Sequence, residues 1–248
     1  LGNNNFQNNI ADNDRLNLFF NYMNNVYRDN GQPSDPISGV IDLTKKYVEF
    51  YLKGIYFYRN TTFNTSIDGD AMINYLIQND PARLQFLNIF ITNGIGYAHA
   101  TRGFGYDLNV DLWANLSGMY PNLNGDYAAA TLMAHEMGHT LDLCHTYVCP
   151  SCGCYSTLSG MGTNPEDGDY FDDVFGLPYP GNAPHYKPND PPIYPSWSYD
   201  VTLSQSDKIT NNLLGGFQAE YYLSPLQIAK IHRALALKTI RRYLLDCV

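Results

Sequence analysis

The order of segment types along the chain predicts an α/β (α+β) fold built on a mixed sheet. Three observations carry it. Apolar residues recur at three- and four-residue steps near the start, two later stretches are dense in aromatic and β-branched residues, and helical segments alternate with them. Alternation of this kind favours helices layered on a sheet.

Residues 1–13 are polar and asparagine-rich and read as a flexible or surface-laid arm. In the helix that follows, Leu16, Phe19, Phe20, Met23, Val26 and Tyr27 share one face, which should pack inward. Tyr47 to Tyr58 reads as a strand, Asp70 to Gln78 as a helix and Leu84 to Thr92 as a second strand. Ala128, Ala129, Ala130, Leu132, Met133 and Ala134 then supply a small-residue and apolar run, so Asp126 to Asp142 reads as a helix lying under the sheet. Residues 178–197 carry repeated prolines and tyrosines. They suit an extended surface segment, either a wall of a cleft or a rigid linker.

The second half of the long helix holds the chemistry. His135-Glu136-Met137-Gly138-His139 places two imidazoles four residues apart, nearly above one another on a helix, with Glu136 beside them. His145, six residues further, lies past a plausible helix end and can arrive as a third ligand. Catalytic zinc commonly takes three protein ligands and keeps a fourth position for water. Neutral imidazoles leave the charge of the ion uncompensated, so bound water is acidified from a pKa near 16 to about 7. Glu136 is then placed to act as general base and afterwards as acid toward the leaving amine. His99, His185 and His232 are expected to be structural or solvent-facing.

The extended motif resembles that of the metzincin clan of zinc peptidases, H-E-x-x-H-x-x-G-x-x-H. Further segments narrow the likeness to the pappalysin-like family: His145-Thr146-Tyr147, Gly168-Asp169-Tyr170-Phe171-Asp172-Asp173 followed by Pro178, Asn211-Asn212-Leu213-Leu214-Gly215-Gly216, and the helix-like Leu223 to Leu235. The resemblance runs from about Tyr47 onward. It implies one catalytic domain of two subdomains. The first, residues 1–145, would carry a mixed, mainly parallel twisted sheet and the active-site helix. The second, residues 146–248, would be loop-rich and carry a methionine-turn-like segment and a C-terminal helix. It also implies a latent precursor with a prosegment, calcium bracing the acidic Asp169, Asp172 and Asp173, and a cleft-rim strand at Gly96-Tyr97-Ala98 to which an extended peptide substrate adds. Carboxylate oxygens suit calcium, although the spacing is not that of an EF-hand loop, and an ordinary edge strand is the other reading of the rim segment.

Three positions depart from the family pattern. Asp142 stands where the pattern has the glycine that ends the helix in a left-handed conformation, which aspartate tolerates at modest cost. Leu214 stands at the methionine of the turn beneath the metal. It has similar volume and apolar character; Met161, in a turn-like Ser159-Gly160-Met161-Gly162, is the rival. Gly216 replaces a tyrosine that some members use at the metal, and the 21 tyrosines of the chain nominate no substitute.

Composition narrows the setting. A chain of 248 residues can bury a sizeable core, and its net charge of −9 argues against nucleic acid as a partner. No apolar run approaches the roughly 18 residues that cross a bilayer. The absence of a signal peptide suggests a processed, secreted form. Four of the five cysteines, Cys144, Cys149, Cys152 and Cys154, crowd just after the zinc motif, with Cys247 near the end. Disulfides are favoured over a second, structural zinc, and spacing does not give the pairing. Asn60, Asn64 and Asn115 open glycosylation-type tripeptides. These observations add up to the expectation of a secreted zinc endopeptidase acting on protein or peptide, with His135, His139 and His145 as ligands and Glu136 as base. A catalytically silent peptide- or glycan-binding module, or a zinc hydrolase of non-peptide bonds, is the alternative.

Overall fold

The computed structural model describes residues 6–31, 48–64, 68–92, 99–100, 113–117, 126–145, 212–214 and 222–236. Helix α1 spans Ile10–Asp29 and starts inside the segment read as a polar arm, because the Asn9 side chain caps it by accepting from the backbone N–H of Asp12 at 2.9 Å. Leu16, Phe19, Met23 and Tyr27 are buried, while Phe20 and Val26 pack half-buried at the margin. The helix stops at Asn30, whose φ of 51° an asparagine adopts more readily than most residues. Its side chain then donates to the Leu223 carbonyl at 2.9 Å and accepts from the Leu223 N–H at 2.8 Å. One amide thus ties the end of α1 to a segment 193 residues away.

The segment 48–58 is not a strand, contrary to expectation, and among the described residues no strand pairs with it. Its backbone is held from the side. Phe50 exchanges two hydrogen bonds with the Asn24 side chain, 2.8 and 3.1 Å, and the Val48 N–H reaches the Tyr27 carbonyl at 3.2 Å. The aromatic residues that suggested a strand instead contact helices and turns. Phe50 stacks edge-on against Tyr27, Tyr58 donates to Asp80, and the Arg83 guanidinium lies 3.7 Å from the Tyr56 ring centre.

Two short helices follow, α2 (Thr61–Asn64) and α3 (Gly69–Asn79), the latter capped by Asp68. The expected strand from Leu84 begins only at Asn88. Pro81, with its preset φ, opens a 3-10 turn over Pro81–Gln85, braced by the Arg83–Asp80 ion pair at 3.0 Å. Strands β1 (Asn88–Thr92), β2 (His99–Ala100) and β3 (Trp113–Ser117) form a sheet of order β1-β3-β2. β1 runs parallel to β3, with Asn88 opposite Trp113 and Thr92 opposite Ser117; β2 is antiparallel to β3.

Helix α4 (Asp126–Thr140) packs against β2 and β3, and α1 runs along it. Ala130, Ala134 and Gly138, spaced four residues apart, form a stripe of small residues on α4. Tyr27 of α1 meets it, donating its hydroxyl to the Ala134 carbonyl at 2.6 Å. The last helix, α5 (Pro225–Ala236), starts with a reciprocal capping box. Gln227 N–H donates to Ser224 Oγ at 3.2 Å, Ser224 N–H donates to Gln227 Oε1 at 3.0 Å, and Pro225 takes the first helical position. Side chains from α1, β3, α4, the 212–214 turn and α5 share one core. Fully burying each large apolar member contributes about 1.5–3 kcal/mol, so the two leucines at 213 and 214 fasten a short turn firmly.

Asn30→Ala removes both bonds to Leu223 and the residue best suited to positive φ. Urea denaturation should show a loss of about 2–4 kcal/mol, against less than about 0.5 kcal/mol for Asn21→Ala on the exposed face.

Candidate metal centre

Helix α4 brings His135 and His139 to one face, and its end determines where His145 goes. Leu143 N–H donates to the Gly138 carbonyl and Asp142 N–H to the His139 carbonyl, each at 3.0 Å. This paired 6→1 and 5→2 pattern is a Schellman ending, and its left-handed residue is Asp142, at φ 71°. Aspartate therefore carries the conformation that the motif assigns to glycine. The chain reverses there, and His145 comes back to the helix.

The three imidazoles converge through Nε2. His145 Nε2 lies 3.0 Å from His135 Nε2 and 3.1 Å from His139 Nε2. The opposite nitrogens are occupied, because His135 Nδ1 is 2.8 Å from the Leu213 carbonyl and His139 Nδ1 is 2.8 Å from the Leu143 carbonyl. A carbonyl only accepts, so each Nδ1 carries the hydrogen and each Nε2 presents a lone pair. His145 could donate a hydrogen to one of these lone pairs but not to both. A cation satisfies all three. The three histidines are thus close enough to hold a metal ion, their candidate ligand atoms lying within 4.8 Å of one another. For zinc–nitrogen bonds of about 2.0–2.1 Å in a tetrahedron the separation is roughly 3.3 Å, near what is seen. The carbonyl partners are also what metal-binding histidines use to fix ring orientation.

Burial pushes the His135 imidazole down from 6.5 to about 4, only partly opposed by its bond to Leu213. The ring is therefore neutral, as a ligand must be. Glu136 is buried on α4, and its charge reaches Tyr27, whose hydroxyl is raised well above its ordinary value by burial and then by that carboxylate.

Leu214 is fully buried and packs under α4 at Gly138. A Cβ on Gly138 would stand 3.2 Å from Leu214 Cδ2 and 3.1 Å from the Tyr27 hydroxyl, which explains a mid-helix glycine at this crossing. Cys144 is disulfide-bonded. Gly96, Tyr97, Ala98, Met161, Asp169, Asp172, Asp173, residues 178–197 and the other cysteines lie outside the described residues. Sequence reasoning missed the carbonyls of Leu213 and Leu143, for which side-chain identity gives no signal. It also missed Lys230, whose Nζ stands 3.7 Å from Asp142 Oδ2; its place on the inward face of an amphipathic helix was the available clue.

The unfolded chain protonates His135 near pH 6.5, whereas the folded, metal-free protein does so only near 4. The unfolded state thus binds more protons between those values. Stability from this group is complete above about pH 6.5 and falls by about 3 kcal/mol as pH drops through 4. Urea titrations in EDTA at about pH 7 and about pH 4.5 should show a smaller decline for His135→Asn, whose amide keeps a donor for Leu213.

Against protein-family models, curated proteins and solved structures, the chain matches none.

Proposed function

We propose that this chain is a zinc-dependent endopeptidase of metzincin type, with His135, His139 and His145 holding the ion and Glu136 serving as general base and then general acid. The observation that carries the reading is the convergence of three imidazole Nε2 atoms, two of them from a helix bearing H-E-x-x-H. Zinc held there would acidify a water molecule and polarise a scissile carbonyl.

The remaining work falls to the chain itself. Leu213 and Leu143 keep two imidazoles in the Nδ1–H tautomer. Glu136, buried beside His135, accepts the proton of the attacking water and returns it to the departing amine. For substrate binding we favour extended addition at the segment Gly96-Tyr97-Ala98. It leads directly into β2, which lies at one margin of the described sheet. An oxidising, extracytoplasmic setting is supported by the disulfide at Cys144. Among the described residues, no helix is long and apolar enough to cross a membrane.

A mixed peptide library with mass-spectrometric mapping of cut sites tests the reading. Zinc-loaded protein should cleave, chelation should abolish cleavage, and Glu136→Gln should lower kcat/KM by about 10²- to 10⁴-fold while zinc content is unchanged. Zinc bound at full occupancy without any cleavage would contradict the peptidase reading and leave a binding module or a hydrolase of another bond.

A further inference from the structure

Asn212 and Gln227 are both fully buried, and their amides lie edge to edge. Asn212 Nδ2 donates to Gln227 Oε1 at 2.8 Å, and Gln227 Nε2 donates to Asn212 Oδ1 at 3.1 Å. Two backbone donors decide which way round each amide sits. Asn212 Oδ1 also accepts from the Leu214 N–H and Gln227 Oε1 from the Ser224 N–H, each at 3.0 Å, and an N–H needs an oxygen opposite it. With both oxygens fixed, each amide nitrogen faces the oxygen of the other residue.

The Leu214 N–H belongs to the same peptide unit as the Leu213 carbonyl. Such a unit is planar and trans, so its N–H and C=O point in opposite directions and turn together. Asn212 holds the N–H end, while His135 Nδ1, 2.8 Å from the carbonyl oxygen, donates to the other. Whatever fixes the first end aims the second. We infer that Gln227 is a positioning residue for His135. From α5 it locks the Asn212 amide, the amide sets the Leu213–Leu214 peptide, and the peptide turns the imidazole so that Nε2 faces His145. The consequence for metal binding rests on reading the three histidines as a metal site; the effect on the ring does not.

Gln227 has a second task at the start of α5, where it forms the capping box with Ser224. Substitution separates the two tasks. Glutamate serves in a capping box as glutamine does, but its second carboxylate oxygen would meet Asn212 Oδ1, acceptor against acceptor. Gln227→Glu therefore keeps the helix start and breaks the amide pair. Ser224→Ala does the reverse, since it removes the hydroxyl and leaves the backbone N–H at that position. Gln227→Met, uncharged and of similar length, breaks both.

Wild type and these three variants are compared as full chains. In EDTA, long-range proton–nitrogen correlation spectra of histidine-labelled protein report which ring nitrogen carries the hydrogen, with His135→Asn assigning the His135 signals, and thermal unfolding is recorded beside them. Cobalt(II) is then titrated and followed by its visible absorption bands. Ser224→Ala should unfold about 2–4 °C below wild type, yet keep His135 in the Nδ1–H form and bind cobalt within about threefold of it. Gln227→Glu and Gln227→Met should show both tautomers at His135 and bind cobalt roughly tenfold more weakly, as loss of an outer-shell partner does.

His135 remaining in the Nδ1–H form in both Gln227 variants overturns the inference, as does cobalt binding by both within about threefold of a wild type that binds it. Equal weakening by Ser224→Ala also overturns it, because the helix cap would then account for the effect. If Gln227→Glu does not fold, Gln227→Met set against Ser224→Ala decides. A wild type that binds no cobalt refutes the metal-site reading by itself, and the tautomer of His135 in the Gln227 variants still decides whether Gln227 orients the ring.

Discussion

The hydrogen bond from His135 Nδ1 to the Leu213 carbonyl is the constraint on which the rest of the site depends. It settles the tautomer of a buried imidazole, turns the ring so that Nε2 faces His145, and joins α4 to a turn 78 residues away. His139 is set by the same chemistry, but locally, through the Leu143 carbonyl delivered by the Schellman ending. Two rings aimed by backbone oxygens have little freedom to reorient. With His145 beside them, these two rings are close enough to hold a metal ion without turning.

The turn that supplies Leu213 is correspondingly over-determined. Asn212 and Gln227 exchange two buried side-chain hydrogen bonds of 2.8 and 3.1 Å, and Asn212 Oδ1 also accepts from the Leu214 N–H. Gln227 Oε1 serves simultaneously in the capping box of α5, and the Leu213 N–H bonds the Tyr222 carbonyl at 2.9 Å. Asn30 at the end of α1 grips Leu223 just ahead of that helix. Amide side chains, which can donate and accept at once, therefore connect α1, the turn and α5 without burying net charge. The asparagine richness of the chain has a structural use at Asn24, Asn30 and Asn212.

How much of this was legible beforehand depended on whether side-chain identity or tertiary contact decided the outcome. The spacing of His135, His139 and His145 encoded the cluster, because helix periodicity and a turn-tolerant Asp142 suffice to bring the rings together. The face of α1 followed from periodicity in the same way. The 48–58 segment was misread because aromatic content signals a half-buried surface and not a ladder partner, and the partner turned out to be the Asn24 side chain. The start of β1 was misplaced because Pro81 and the Asp80–Arg83 pair favour a 3-10 turn over extension. Backbone carbonyls as orienting groups leave no mark in a sequence at all. The Leu213 contact and the Lys230–Asp142 pair could be seen only once α4 and α5 were in place.

The most direct measurement is a crystal structure of the zinc-soaked protein with anomalous data collected on both sides of the zinc absorption edge. A single anomalous peak about 2.0–2.1 Å from Nε2 of His135, His139 and His145, with both Nδ1–carbonyl bonds intact, is the expected result. Zinc bound through Nδ1, zinc held by fewer than the three histidines, or no peak between the rings would contradict the claim that the fold brings three imidazole Nε2 atoms to one ion.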